Sequence, residues 1–343
     1  MKFFKRLIAV SILLILLIST IGYFSITNSL KSVNPKDKSV KLFYVNAGNS
    51  LNLVLKKLEK DNLIKSYKAA RIYTLLRYPK HSVKPGYYQL SKSMSFIEIF
   101  RKLVSGNIYQ IWLTIPEGFS VKKTARRLAA KNLSENTYIQ LSTDFDPSLK
   151  EDFPFLEKIN NPNSLEGYLF PDTYDITGGK EEDLIQLQLK RFSGTIYESW
   201  QNRPGNWKLS LHQTLTLASI VELEAQKPSE RKLISGVFIN RLQQGIPLGS
   251  DPTVEYALGW HQNEKGLSLR DVQIKSSYNT YINKGLPPGP IANPGLACFN
   301  AVLNYKHTPF LYFVAKGDGS HVFTTNYQDH LQAQAMIRKG IIR

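Results

Sequence analysis

Sulfur chemistry is nearly absent from this chain. Its 343 residues include one cysteine, Cys298, so no intramolecular disulfide forms, and its apolar, helix-like surroundings read as those of a buried, inert thiol. Also missing are a glycine-rich phosphate loop ending in Lys-Ser/Thr, a Gly-x-Gly-x-x-Gly turn, a Gly-x-Ser-x-Gly elbow and a cysteine pair for zinc. These absences exclude most nucleotide, dinucleotide and serine-hydrolase readings. The six histidines are scattered, and His321 with His330 lacks the spacing of a helical metal pair. Acidic residues are the scarcer charge: 27 Asp and Glu stand against 44 Lys and Arg, a formal charge of +17. Such an excess points to a polyanionic partner, whether nucleic acid, anionic lipid or an acidic cell-surface polymer.

One long apolar run is present. Lys2, Lys5 and Arg6 precede Leu7 to Ile26, an uncharged stretch of about the ~20 residues a bilayer core requires. The expected organisation is residues 1–6 inside, a transmembrane helix over 7–26, and a polar linker over 27–39. A cleaved signal peptide is the alternative, but its apolar core would be shorter and end in an Ala-x-Ala-like site, which is not obvious here. Lys31, Lys36, Lys38 and Lys41 follow the span and offset the positive residues before it, yet long domains translocate largely regardless of such charges. The body is therefore expected outside. A span of this kind also argues against a nucleic-acid partner.

Folded sequence begins near Val40 and contains an internal similarity at an offset of 70 residues. YVNAGNSLNLVLKKLEKDNL, from Tyr44, aligns with TIPEGFSVKKTARRLAAKNL, from Thr114, pairing Gly48 with Gly118, Ser50 with Ser120 and Asn62-Leu63 with Asn132-Leu133. Each copy reads as a strand, a glycine turn, a serine cap and an amphipathic helix. Two copies are too few for a solenoid. A strand at Tyr87 to Leu90 and a helix opened by the Ser95 and Glu98 capping box follow, completing a small mixed domain over 40–110. Its opening resembles that of LysM modules, β-α-α-β units that bind N-acetylglucosamine-containing glycans, with binding itself left open.

Residues 111–343 read as α+β, without the strand-helix alternation of a doubly wound sheet. Ser142 to Asn163 reads as a loose connector. SLEGYLFPDTYDI, from Ser164, surrounds Glu166, Asp172 and Asp175 with aromatics, which suits either a sugar-binding wall or a buried structural turn. LTLASIVELEA, from Leu215, reads as a helix with one buried face that stops near Gln226, before Pro228. Glu222 and Glu224 are about 200° apart around it, so they cannot share a face. Glu224, in the last turn, faces unpaired carbonyls that tend to raise its pKa. A second helix is expected from Ser229 to Gly245, a third with Asp251 as N-cap and Pro252 at its first position, and another starting at Asn293 and Pro294. Between them, SSYNTYINKGLPPGPIANPG is dense in Pro, Gly, Asn and Tyr and suits a cleft floor. LYFVA and HVFTT form a hairpin, and Asn326 caps a closing helix.

Taken in order, SLEGYLFPDTY, LASIVELEA, SERKLISGVFINRL, SDPTVEYALG, YNTYINKGLPPGPIANPG and LYFVAKGDGSHVFTTN resemble the signature blocks of the endolytic murein transglycosylases, the YceG-like family. That resemblance implies a membrane-anchored lytic transglycosylase that cuts the β-1,4 bond between N-acetylmuramic acid and N-acetylglucosamine in nascent peptidoglycan strands and leaves a 1,6-anhydro end. It implies Glu224 as the catalytic residue, peptidoglycan synthases as companions, and neither metal nor organic cofactor. Glu222, Glu166, Asp172, Tyr174, Asn240, Asp251, Tyr278, Asn279, Tyr281, Asn293 and His321 are the candidates for support or substrate binding. Two rivals compete: a membrane-tethered glycan-binding scaffold, and a pyridoxal-phosphate lyase. The second requires a lysine aldimine and a phosphate-cradling glycine loop, and no candidate loop is found.

Overall fold

A computed structural model of the chain describes residues 2–79, 82–159, 164–259 and 266–342. Met1 and residues 160–163, the end of the expected connector, lie outside the described residues. The chain divides into two compact units, Met1–Ile111 and Trp112–Arg343.

The first unit opens with α1 (Lys2–Ser29), whose segment Val10–Ser29 is long and apolar enough to cross a membrane. The segment expected to be a spacer does not hang free. Leu30 is buried and Ile26 packs against the same core, the Leu30 carbonyl accepts from Phe96 N at 2.9 Å, and Asn34 N donates to the Lys92 carbonyl at 3.0 Å. Then follow β1 (Lys41–Val45), α2 (Leu51–Lys60), α3 (Tyr67–Arg77), β2 (Gly86–Leu90) and α4 (Phe96–Ser105). β1 and β2 pair antiparallel with Phe43 opposite Tyr88 and Val45 opposite Gly86. Alternation sends Phe43, Val45, Tyr88 and Leu90 inward onto Val54, Leu55 and Leu58 of α2 and Ile99, Phe100 and Leu103 of α4. The Ser95 and Glu98 box is present in both directions.

The second unit begins with β3 (Trp112–Thr114), α5 (Val121–Ala129) and α6 (Glu135–Thr143). Its opening repeats that of the first unit. Gly48 and Gly118 make the turn at φ +79° and +76°, Ser50 and Ser120 cap α2 and α5, and Asn62 and Asn132 follow those helices at φ +56° and +60°. Among the described residues these two asparagines are the non-glycine positions with positive φ, a conformation asparagine tolerates better than most side chains. Next comes a segment that the lack of periodicity suggested was loose. It holds α7 (Leu149–Asp152) and a 3-10 turn at Pro154–Lys158. Phe145, Phe155, Leu156 and Ile159 are buried; the Phe155 ring lies 4.8 Å from that of Phe192. Elements this short carry no readable period, so their aromatic anchors were the only signal.

β4 (Thr173–Asp175) pairs antiparallel with β3, and α8 (Glu181–Phe192) and α9 (Glu198–Gln201) lead to α10 (Leu211–Glu224). α10, α11 (Arg231–Gln244) and α13 (Leu296–Leu303) pack on one another, with α12 (Asp251–Leu258) against α10. α10 differs from the expected one-sided helix: every residue from Thr214 to Val221 is buried. Its hydroxyls make this tolerable, because Thr214, Thr216 and Ser219 each donate to a carbonyl three or four residues back at 2.7 to 2.8 Å. It also starts earlier, at a Ser210 and Gln213 capping box. α11 starts at Arg231 after a 3-10 turn at Pro228–Glu230 and ends at left-handed Gly245. The α12 N-cap is Ser250 rather than Asp251, and α13 is capped by Gly295, two residues beyond Asn293. Finally β5 (Tyr312–Ala315) and β6 (His321–Thr324) form the hairpin, and Asn326 caps α14 (Tyr327–Arg338). Cys298 is buried in α13, and burial pushes its thiol pKa up.

Candidate active site

Glu224 closes α10, and at Ala225 the backbone turns extended at φ −83° and ψ 97°. The carboxylate therefore leaves the helix core and opens on a cavity of about 630 Å³. Several parts of the chain build its walls. α12 and the loop before it bring Gly249 and Asp251, β5 brings Tyr312 and Phe313, and α14 brings Tyr327 and His330. Arg241, from α11, ties them together: its Nε donates to the Leu311 carbonyl and its Nη1 to the Leu248 carbonyl, both at 2.6 Å, and its guanidinium lies 4.9 Å from the Tyr312 ring centre. Gly249 sits at φ +56°, where a side chain would be strained and its Cβ would stand 3.4 Å from Arg241 Nη1.

Burial and neighbouring charges act together on Glu224. Ser250 Oγ donates to its Oε1 at 2.6 Å, which leaves the other carboxyl oxygen for a ligand. Burial first, then the negative charges of Asp251 and Glu255, push its pKa up to about 7, against the lowering effects of the Ser250 bond and Arg241. A carboxyl group poised there holds a proton near neutrality and can give it up. If the protonated form does the work, activity should fall about tenfold per pH unit above about 7, since the neutral fraction of one acid falls by that factor. Asp251→Asn removes a neighbouring negative charge and should move that limb to lower pH. A pH-rate profile of both proteins checks this, and a rate level to pH 9 in the parent would contradict it.

Glu222 points elsewhere, as two positions on a helix require. Its Oε2 accepts from Gly295 N at 2.9 Å, its Oε1 lies 3.9 Å from Arg231 Nη2, and the side chain is 7% exposed. It joins α10 to α11 and to the start of α13. Glu222→Gln keeps an acceptor for Gly295 but removes the charge facing Arg231, so a loss of about 1–3 kcal/mol is expected. If Glu224 carries the chemistry, turnover should stay within about tenfold of the parent, because that residue is untouched. Melting and turnover of the variant check both parts.

Of the other sequence candidates, Asp251, Tyr281 and His321 line the cavity with Glu224. Asp251 accepts from the Tyr281 hydroxyl, so its carboxylate orients that ring. His321 Nδ1 is 2.7 Å from Glu230 Oε2, and its backbone N–H donates to the other oxygen of that carboxylate. The remaining candidates are not among the residues lining this cavity, and each makes hydrogen-bond, ion-pair or ring contacts within the fold. Glu166 is buried and accepts from Val121 N, the first residue of α5, at 3.0 Å; burial pushes its pKa up to about 8. Asn293 uses its whole amide: Oδ1 accepts from Gly167 N and Leu169 N, and Nδ2 donates to the Phe119 carbonyl and Glu166 Oε1. Asp172 pairs with Arg191 at 2.7 Å on the surface, and the Tyr174 hydroxyl donates to the Phe170 carbonyl. Asn240 donates to the carbonyls of Thr308 and Phe310, and Asn279 to those of Val272 and Ile274. Tyr278 packs on Tyr256, and burial raises its pKa to about 12.

The sequence reading missed Ser250, Arg241, Tyr312, Tyr327 and His330. Ser250 had a signal, since it stands just before Asp251-Pro252 where a cap is expected; its hydroxyl is spent on Glu224 instead. A second cavity of about 690 Å³, around Trp207, Leu242 and Tyr305, has no carboxylate in its lining, so it offers no acid for chemistry of this kind.

The profile of the YceG-like family matches residues 43–336. A Bacillus subtilis protein named endolytic murein transglycosylase is 35% identical over 320 residues, which cover 89% of this chain and 87% of that protein. A Streptococcus pneumoniae D39 protein of the same name is 32% identical over 347 residues; the match covers 92% of this chain and 62% of that longer relative. A crystal structure of a YceG-like protein from Listeria monocytogenes superposes with a TM-score of 0.59 at 31% identity, covering 86% of this chain and 99% of that one.

Proposed function

The chain belongs to the YceG-like family, and from that premise we propose that it is a membrane-anchored endolytic transglycosylase. Its substrate is the glycan strand of peptidoglycan, its bond the β-1,4 link between N-acetylmuramic acid and N-acetylglucosamine, and its product a 1,6-anhydro end. The relatives named endolytic murein transglycosylase support the activity. The observation that carries the assignment of residues is Glu224, with a pKa raised to about 7, beside a cavity with aromatic walls.

Protonated Glu224 gives its proton to the glycosidic oxygen as the bond from C1 to that oxygen breaks, and the N-acetylglucosamine leaves with a 4-hydroxyl. The Glu224 carboxylate then takes the proton of the muramoyl 6-hydroxyl as that oxygen bonds to C1. Proton count and bond count both balance, and water is not consumed. One carboxyl group suffices because the attacking hydroxyl is already tethered to the ring it closes on, a large effective molarity. An ordinary glycosidase, by contrast, needs a second carboxylate. Ser250 holds Glu224 in place, Asp251 orients Tyr281, and the faces of Tyr281, Tyr312 and Tyr327 are suited to stacking on pyranose rings. α1 anchors the chain with the second unit on the cell-wall side, and the β-α-α-β order of the first unit supports reading it as LysM-like.

The test is the chemical form of the new strand end. Purified full-length protein incubated with uncrosslinked glycan strands should yield anhydro-ended fragments by mass spectrometry. Reducing ends would make it a hydrolase, and binding without turnover would make it a scaffold.

A further inference from the structure

α3 buries Ala69, Ala70 and Thr74 in the first unit and packs beside α1. Its outer side is unusual for a water-facing surface. Ile72, Leu75 and Leu76 are 42, 59 and 77% exposed, and their spacing of three and four residues puts them on one face. Lys68, Arg71 and Arg77 are exposed around them. Apolar residues flanked by basic ones are the composition of a helix lying in a lipid interface. α1 supplies the lipid. With Leu30 already in the core, no spacer separates the apolar helix from this unit, so the unit is held at the bilayer surface. Tyr23 and Phe24, exposed on α1, lie six or seven residues before Leu30, about 10 Å along the helix, and aromatic side chains prefer the headgroup level.

We propose that α3 is a second membrane contact, with Ile72, Leu75 and Leu76 in the headgroup zone of the bilayer that α1 crosses, and Lys68, Arg71 and Arg77 against anionic lipid phosphates. This rests on the reading of α1 as an uncleaved anchor. The first unit is then held at the bilayer by two helices rather than one.

The experiment uses the full chain with Cys298→Ala, reconstituted in vesicles of phosphatidylglycerol and phosphatidylcholine that contain a lipid with a nitroxide near the headgroup end of its acyl chain. A single environment-sensitive fluorophore is attached at Leu76→Cys, at Lys60→Cys on the exposed side of α2, or at Ile15→Cys within α1. Emission from position 76 should shift to the blue and be quenched by the nitroxide lipid, as at position 15 and unlike position 60. Leu75→Glu should return position 76 toward the behaviour of position 60, and replacing the phosphatidylglycerol should weaken its quenching. If position 15 is quenched while 76 behaves like 60, the proposal fails and the anchor stands. If neither is quenched, the anchor reading fails and takes this one with it. A blue shift at 76 without lipid quenching would mean that another protein surface or a second copy covers α3, which also overturns the proposal.

Discussion

Glu224→Gln should abolish anhydro-end formation, by at least about 10³-fold, because in the proposed mechanism one side chain serves as both acid and base and the amide can do neither. Shape and the Ser250 bond survive, since the glutamine carbonyl accepts from Ser250 Oγ as Oε1 does now. The same substitution should stabilise the protein, in a pH-dependent way. Glu224 is raised from 4.5 to about 7 on folding, so its neutral form fits the fold and its ionised form does not. Below about pH 4.5 the group is neutral in both states and costs nothing. As pH rises from there through 7 the unfolded chain gains the advantage of ionising, up to about 3 kcal/mol at ~1.36 kcal/mol per pKa unit. The variant lacks that loss. Its melting temperature relative to the parent should therefore rise between pH 5 and pH 8. A glutamine variant that still cleaves would remove Glu224 from the chemistry, and one that gains no relative stability at pH 8 would show that the carboxyl group titrates normally.

Asn293→Asp should be among the most damaging near-isosteric changes in the second unit. The parent amide nitrogen donates to the Phe119 carbonyl at 2.8 Å and to Glu166 Oε1 at 3.2 Å. An aspartate oxygen in that place faces two acceptors and brings a charge into a position that is 1% exposed. The expected loss is about 3–5 kcal/mol, the usual range for leaving buried charge unpaired. At 2–4 °C per kcal/mol for a unit of this size, that is a melting temperature lower by roughly 6–20 °C. Asp172→Asn, which breaks only the surface pair with Arg191, should cost under about 1 kcal/mol. Equal melting of these two variants would show that the Asn293 network carries no special weight.

That contrast explains what was legible in the sequence. Features that depend on a few neighbouring residues could be read directly: the twofold strand, glycine turn, serine cap and asparagine pattern, the Ser95 and Glu98 box, the β5 and β6 hairpin, the Asn326 cap. The divergence of Glu222 and Glu224 needed only helix geometry. What could not be read was set by partners far along the chain. Asp251 and Ser250 are both good N-cap residues, and only the arrival of Glu224, 26 residues upstream, assigns the serine hydroxyl. Asn293 looks like a helix start because Pro294 follows it, but its partners Phe119, Glu166, Gly167 and Leu169 come from more than 120 residues away. α10 hid its full burial because threonine and serine read as exposed until their hydroxyls are found bonded to their own helix.

The wall opposite Glu224 is drawn from residues 312–334, whose first residue lies 88 positions after the acid (312 − 224). During synthesis at about 5–20 residues per second, some 4–18 s separate the emergence of the two. Over that interval Tyr312 and Tyr327 are not yet made, and the cavity beside Glu224 lacks the wall they supply. Completion of the cavity beside Glu224 therefore waits on the hairpin and on α14, which are made after it.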